Sequence, residues 1–186
     1  MKTFKYLILF IGLSIFTSAA WAQDSTKTAR KAAKAADIKK LLEAKRFVFQ
    51  AQYANPLGGG VTSLNGRLIN ITPNIGGSSG HVYLNYNYAV KVRPDSVIAY
   101  LPYFGRTTFD PPINSSEGGV KFTSTKFGYD VKQGKKGNTI ITITPQDAGY
   151  FRKMVFTVSS EGSTSLQMTI TNRNAISYDG YIAEKD

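Results

Sequence analysis

The chain has 186 residues, 23 Lys and Arg against 12 Asp and Glu, a formal charge of +11 and no cysteine. The missing thiols exclude disulfides, thiolate catalysis, cysteine-ligated zinc and the acceptor cysteine of a lipid anchor. A chain of this size accommodates one domain with a sizeable core rather than two.

At the N-terminus, Lys2 and Lys5 form a short basic region ahead of an apolar run from Tyr6 to Phe16. Ala20-Trp21-Ala22 then places small residues where a signal peptidase inspects the chain. The apolar run is shorter than the roughly 20 residues a spanning helix requires. Residues 1–22 therefore read as a signal peptide cleaved after Ala22, with a mature protein in the periplasm or outside the cell. An uncleaved anchor is the competing reading.

Between Asp24 and Arg46 the chain holds eight Lys and Arg against three Asp and Glu, so its basic character is concentrated there. From Thr26 to Arg46 good helix formers dominate without Gly or Pro. Ala35, Ile38, Leu41, Leu42 and Lys45 recur at helical spacing, while Lys34, Lys39 and Lys40 fall elsewhere. The expected organisation is a flexible basic segment at 23–34, then a single β-rich domain at 35–186 whose first element is a capping helix. Lys34, Lys39 and Lys40 also offer a surface for anionic lipid head groups, the alternative role for this helix. Nucleic acid is not an expected partner of an exported chain.

After Arg46 the period becomes two. Phe47, Phe49, Ala51 and Tyr53 share one face of an expected strand, which ends in the Gly58-Gly59-Gly60 loop. That loop lacks the Lys-Ser/Thr of a phosphate-binding loop. Gly66 to Thr72 is a weaker strand. Val82, Leu84, Tyr86, Tyr88, Val90 and Val92 then alternate without a break into the Arg93-Pro94-Asp95-Ser96 turn. Val97 to Leu101, apolar on both faces, reads as a central strand covered on both sides. It runs into Tyr100-Leu101-Pro102-Tyr103-Phe104-Gly105-Arg106, where proline ends regular pairing. Residues 107–118 read as a loop and Gly119 to Thr123 as a short strand. From Phe127 a β-meander follows, with turns at Gly134-Lys135-Lys136-Gly137, Pro145 to Gly149, Ser160-Glu161-Gly162-Ser163 and Asn172-Arg173-Asn174. The fold class is mainly β: an antiparallel β-sandwich or flattened barrel with one N-terminal amphipathic helix.

The hairpin into Tyr100–Arg106, the segment Gly118-Gly119-Val120-Lys121-Phe122 and the terminal Asn172-Arg173-Asn174-Ala175-Ile176-Ser177-Tyr178-Asp179-Gly180-Tyr181-Ile182 resemble the family catalogued as domain of unknown function 4251. The similarity runs from about Ile38 to Ile182. It implies a mostly β envelope or secreted protein of Gram-negative gut-type bacteria and brings no activity with it. Many members of that family resemble lipoproteins, from which this cysteine-free chain departs.

The residues carry no catalytic signature, and no cofactor or metal is expected. His81 is the one histidine, so no multi-histidine metal site can form, and no Ser-His-Asp partners are announced. Asp95, Asp110, Glu117, Asp130, Asp147, Glu161 and Asp179 are scattered, several of them in turns where aspartate bonds the local backbone. The aromatic crowding of Tyr83, Tyr86, Tyr88, Tyr100, Tyr103, Phe104 and Phe109 is the stronger anomaly, since such rings stack on sugars or anchor partners. Tyr103 and Arg106, with Tyr100, Phe109 and Arg173, are the candidate residues for binding a ligand or an envelope protein. The expected function is a non-catalytic binding domain acting through an aromatic-rich sheet end. The alternatives are a glycan-directed enzyme of unrecognised type and a purely structural surface module.

Overall fold

Alternation of apolar and polar side chains is realised as one long antiparallel sheet that curls into a nearly closed barrel. The computed structural model describes residues 18–56, 61–64, 67–70, 81–85, 87–104, 119–171 and 173–184. Helix α1 spans Ser18–Glu43. It is followed by β1 Phe47–Pro56, β2 Val61–Leu64, β3 Arg67–Asn70, β4 Val82–Tyr83, β5 Ala89–Val92 and β6 Val97–Leu101. The remaining strands are β7 Val120–Ser124, β8 Phe127–Gln133, β9 Thr139–Pro145, β10 Phe151–Val158, β11 Ser163–Ile170 and β12 Ile176–Ala183. The large sheet has ten strands in the order β7-β6-β5-β1-β12-β11-β10-β9-β8, with β4 also pairing β1. Strands β8 to β12 form the expected meander. β1 inserts between β5 and β12 and joins the two halves.

The edge strands β7 and β8 are consecutive in sequence, linked by Thr125-Lys126. Asp147, from the β9–β10 connection, clamps this link. It accepts hydrogen bonds from the Ser124 hydroxyl, the Thr125 amide (2.9 Å), the Thr125 hydroxyl (3.1 Å) and the Lys126 amide (3.1 Å). The Ser124 hydroxyl first, then the Thr125 amide, hold this carboxylate well below the usual range. Phe122 of β7 stacks on Phe151 of β10 at 4.4 Å, so the sheet closes upon itself through side chains.

Inward-facing residues build a single core, in which the ring of Phe156 receives the edges of Phe47 (5.9 Å) and Phe49 (5.8 Å). From α1, Ile38 and Leu42 are buried in the same core. Ile38 presses on the β10–β11 turn, where its Cδ1 would lie 2.9 Å from a Cβ on Gly162. Gly162 also has φ 91°, so both space and backbone require glycine there. The helix stops at Glu43 rather than running to Arg46. Lys45 turns left-handed (φ 54°) while its amide bonds Leu42 O and the Arg46 amide bonds Leu41 O, a Schellman ending. Residues 23–34 belong to α1, where Lys31 pairs with Glu161 at 2.9 Å. Among the described residues, no helix is long and apolar enough to cross a membrane.

Three strand expectations require correction, and a fourth holds. Tyr53 does not share the inward face of Phe47, Phe49 and Ala51. The β1–β12 register shifts between Ala51 and Tyr53, so Gln52 is the extra residue of a bulge. Ala54 takes the buried position and Tyr53 turns outward. The expected single strand from Val82 to Val92 is broken into β4 and β5, which pair β1 on either side of that bulge. β6 is not covered on both faces: Val97, Ala99 and Leu101 are buried, whereas Tyr100 faces solvent. The weak strand at Gly66 to Thr72 is β3, paired with β2 in a separate two-stranded sheet.

Candidate functional site

Pro102 ends β6 and sends Tyr103 and Phe104 across the barrel end opposite α1. Both rings are partly buried and packed against the core. The Tyr103 hydroxyl donates to Asn174 O at 2.9 Å, and the Arg173 guanidinium lies over its ring at 4.8 Å. Burial pushes the Tyr103 phenol up, with Arg173 acting in the opposite direction. Beneath them Tyr178, fully buried, donates to Pro102 O at 2.7 Å. Burial lifts its phenol far above the ordinary range. These carbonyls lie outside the strand ladders, and the tyrosine hydroxyls satisfy them.

The fold thus brings Tyr103 and Arg173 together. Among the described residues, Arg173 has no carboxylate partner, and its guanidinium lies over the face of the Tyr103 ring. Tyr100 is separate: it faces outward on β6, opposite Lys121 of β7, with its ring 5.4 Å from that of Tyr88. Arg106 and Phe109 lie outside the described residues, as does the 107–118 loop.

A second aromatic group escaped the sequence reading. Tyr53, turned outward by the bulge, stacks on His81 at 4.3 Å and meets the edge of Tyr83 at 5.5 Å. His81 Nδ1 bonds Asn55 Oδ1, and Asn55 Nδ2 donates to Asp179 Oδ2 at 2.7 Å. Tyr83 is 66% exposed. Apolar alternation pointed Tyr53 into the core, and only the pairing of β1 with three strands reveals otherwise. His81, exposed immediately before β4, is thus part of a cross-strand cluster.

The described carboxylates outside α1 and the C-terminal residues are engaged locally. Asp95 accepts from Ser96 (2.9 Å), Asp130 pairs with Lys132 (3.2 Å), Asp147 clamps the β7–β8 link, Glu161 meets Lys31, and Asp179 accepts from Asn55. Asp110 and Glu117 lie outside the described residues. No three His, Asp or Glu side chains converge as a metal-binding group among the described residues.

The geometry defines a mostly β barrel with a helix over one end and an arginine-tyrosine stack at the other. A family model described as "Domain of unknown function (DUF4251)" matches residues 29–182, and the chain belongs to that family. It is similar to a DUF4251 family protein from Bacteroides eggerthii DSM 20697, with a TM-score of 0.53 and 18% identity, covering 84% of this chain and 91% of that one. At this identity the likeness concerns the fold. Comparison with curated proteins gives no match.

Proposed function

We propose that the chain is an exported, non-catalytic domain that binds a ligand or envelope partner through the barrel end formed by Tyr103 and Arg173. Export is supported by the basic start at Lys2 and Lys5, the apolar run and the Ala20-Trp21-Ala22 site. Cleavage after Ala22 removes the first residues of α1 and leaves Ile38 and Leu42 in place. A non-catalytic role is supported by carboxylates that already hold local hydrogen bonds or ion pairs.

The observation that carries the binding reading is the Arg173 guanidinium, stacked on Tyr103 without a carboxylate partner among the described residues. A planar cation placed over the ring can still offer the parallel N–H donors of its edge to a carboxylate or phosphate. Arg106 and Phe109, from the segment after Phe104, are proposed to complete the contact. The test is an acidic-glycan array and an envelope pull-down with the mature protein and its Arg173→Gln and Arg173→Lys variants. Both variants should keep the parent's melting temperature within a few degrees and lose capture, Arg173→Lys included because it cannot reproduce the flat fork. Identical binding profiles for parent and variants would defeat the proposal. Mass spectrometry of the exported chain should find Gln23 at its N-terminus.

A further inference from the structure

The outward cluster on β1, β4 and β12 is built differently from the barrel end and does not rest on that reading. Three features of it point to a ligand. The first is a set of rings held in place by one another: Tyr53 stacks on His81 at 4.3 Å and makes a T-shaped contact with Tyr83 at 5.5 Å. Tyr83 nevertheless leaves two thirds of its surface to solvent, 66%. A large apolar ring fixed in place and kept in water is ready to cover an apolar surface with little ordering penalty.

The second feature is the hydrogen-bond chain across three strands. Because Asn55 Nδ2 donates to Asp179, its amide oxygen faces His81, and His81 Nδ1 must be the donor to that oxygen. In the neutral ring Nε2 then presents a lone pair. Asp179 spends one lone pair on Asn55 and retains the acceptor capacity of its other oxygen. Acceptor capacity therefore remains on the exposed His81 and the half-buried Asp179, beside a ring face.

The third feature is continuity. On the outer face of β12, Tyr181 stands two residues beyond Asp179 and is 42% exposed, opposite Gln50 of β1. Ser165 of β11 lies opposite Asp179 on the other side. The polar and aromatic positions thus extend over more than one ring's width on a sheet surface.

We infer that this face binds a neutral glycan, one pyranose seated on Tyr83 and Tyr53 with its hydroxyls donating to Asp179 and His81. A sugar ring offers an apolar C–H face for the aromatic ring and hydroxyl donors at its edge, which matches stacked rings flanked by acceptors. An acidic glycan is disfavoured by the Asp179 carboxylate. A cationic peptide, which could also use Tyr83 and Asp179, must approach a protein that stays strongly basic after Lys2 and Lys5 leave with the signal peptide.

The test uses the mature protein in affinity gels and calorimetry with cellohexaose, mannohexaose, maltohexaose and a galactan-derived hexasaccharide, alongside decalysine. At least one neutral hexasaccharide should bind. Tyr83→Ala should weaken it roughly tenfold or more, as loss of a seated aromatic contact does, with the melting temperature unchanged. Asp179→Asn and Asn55→Ala should weaken the same sugar without changing which one is chosen. Arg173→Gln should leave it bound, which separates this site from the barrel end. No binding of any hexasaccharide, or binding indifferent to Tyr83→Ala, would overturn the inference. So would binding of decalysine alone with loss in Asp179→Asn, which would assign the face to a cationic partner.

Discussion

At the helix-covered end of the barrel, Tyr129 donates its hydroxyl to Leu42 O at 2.7 Å and lies under the Lys45 ammonium, 5.0 Å from the ring centre. At the opposite end Tyr103 donates to Asn174 O at 2.9 Å and lies under the Arg173 guanidinium at 4.8 Å. Both ends thus use a tyrosine to satisfy a carbonyl and a cation to cover the ring. They differ in what else they contribute. The helix end adds Ile38 and Leu42, at 7% and 1% exposure, to the core. The other end adds the partly buried Tyr103 and Phe104 on irregular backbone. A barrel mouth closed by a helix derives its stability from apolar burial. One closed by a short irregular segment can keep a cation at its surface for another task.

The sharpest way to break this contrast is to truncate the helix's apolar stripe. Leu42→Ala should cost about 3–5 kcal/mol and Ile38→Ala about 2–4, as well-packed core aliphatics do. Urea titration at constant m-value would measure both. Values below about 1 kcal/mol would place the helix on the barrel as an ornament.

Phe104→Ala comes next, at about 2 kcal/mol, because only part of its ring is removed from water. A loss equal to that of Leu42→Ala would make the two ends equivalent and weaken the case for a functional mouth.

The hydroxyls sharpen the comparison further. Tyr178→Phe should cost about 1–2 kcal/mol, because its fully buried hydroxyl is the donor to Pro102 O. Tyr129→Phe should cost less, since Leu42 O also receives the Lys45 amide at 3.2 Å. Thermal melts of the two variants decide the order. A larger loss from Tyr129→Phe would mean that the helix ending, not the ring's position, governs that end.

Much of this architecture was legible because local chemistry and global pairing agree. The turns at Gly134–Gly137 and Ser160–Ser163 separate strands of plain alternation, and β8 to β12 follow in order. What was hidden depends on partners distant in sequence. Nothing near Gln52 announces a bulge; it follows from β1 having to pair β12 on one side and both β4 and β5 on the other. The outward turn of Tyr53, and with it the His81 stack, is therefore a tertiary property. Tyr103 and Arg173 were both singled out from their motifs, yet their contact needed the β12 start to meet the chain leaving β6. Val97 to Leu101 misled because apolar residues on both faces imitate a covered strand, while Tyr100 tolerates water through its hydroxyl.

The smallest stability effect expected is from neutralising Lys34, Lys39 and Lys40 together. Lys39 pairs with Glu43 at 3.8 Å with both side chains 62% exposed, a geometry worth a few tenths of a kcal/mol. Lys34 and Lys40 are likewise exposed, so the triple Lys→Gln variant should melt within about 2 °C of the parent. The same variant tests the alternative role of α1. Ile38 and Leu42 are already committed to the core, so among the described side chains of the helix no comparable apolar stripe is left to insert into lipid. Adsorption to vesicles of phosphatidylglycerol would then rest on charge alone, at about 1 kcal/mol per lysine near the surface, and should vanish as salt shortens the Debye length. Vesicle binding by the parent that survives high salt, and persists when the lysines are replaced, would show an apolar contact that the barrel does not account for. It would also reverse the comparison of the two ends, because the helix end would then be the one that meets a partner.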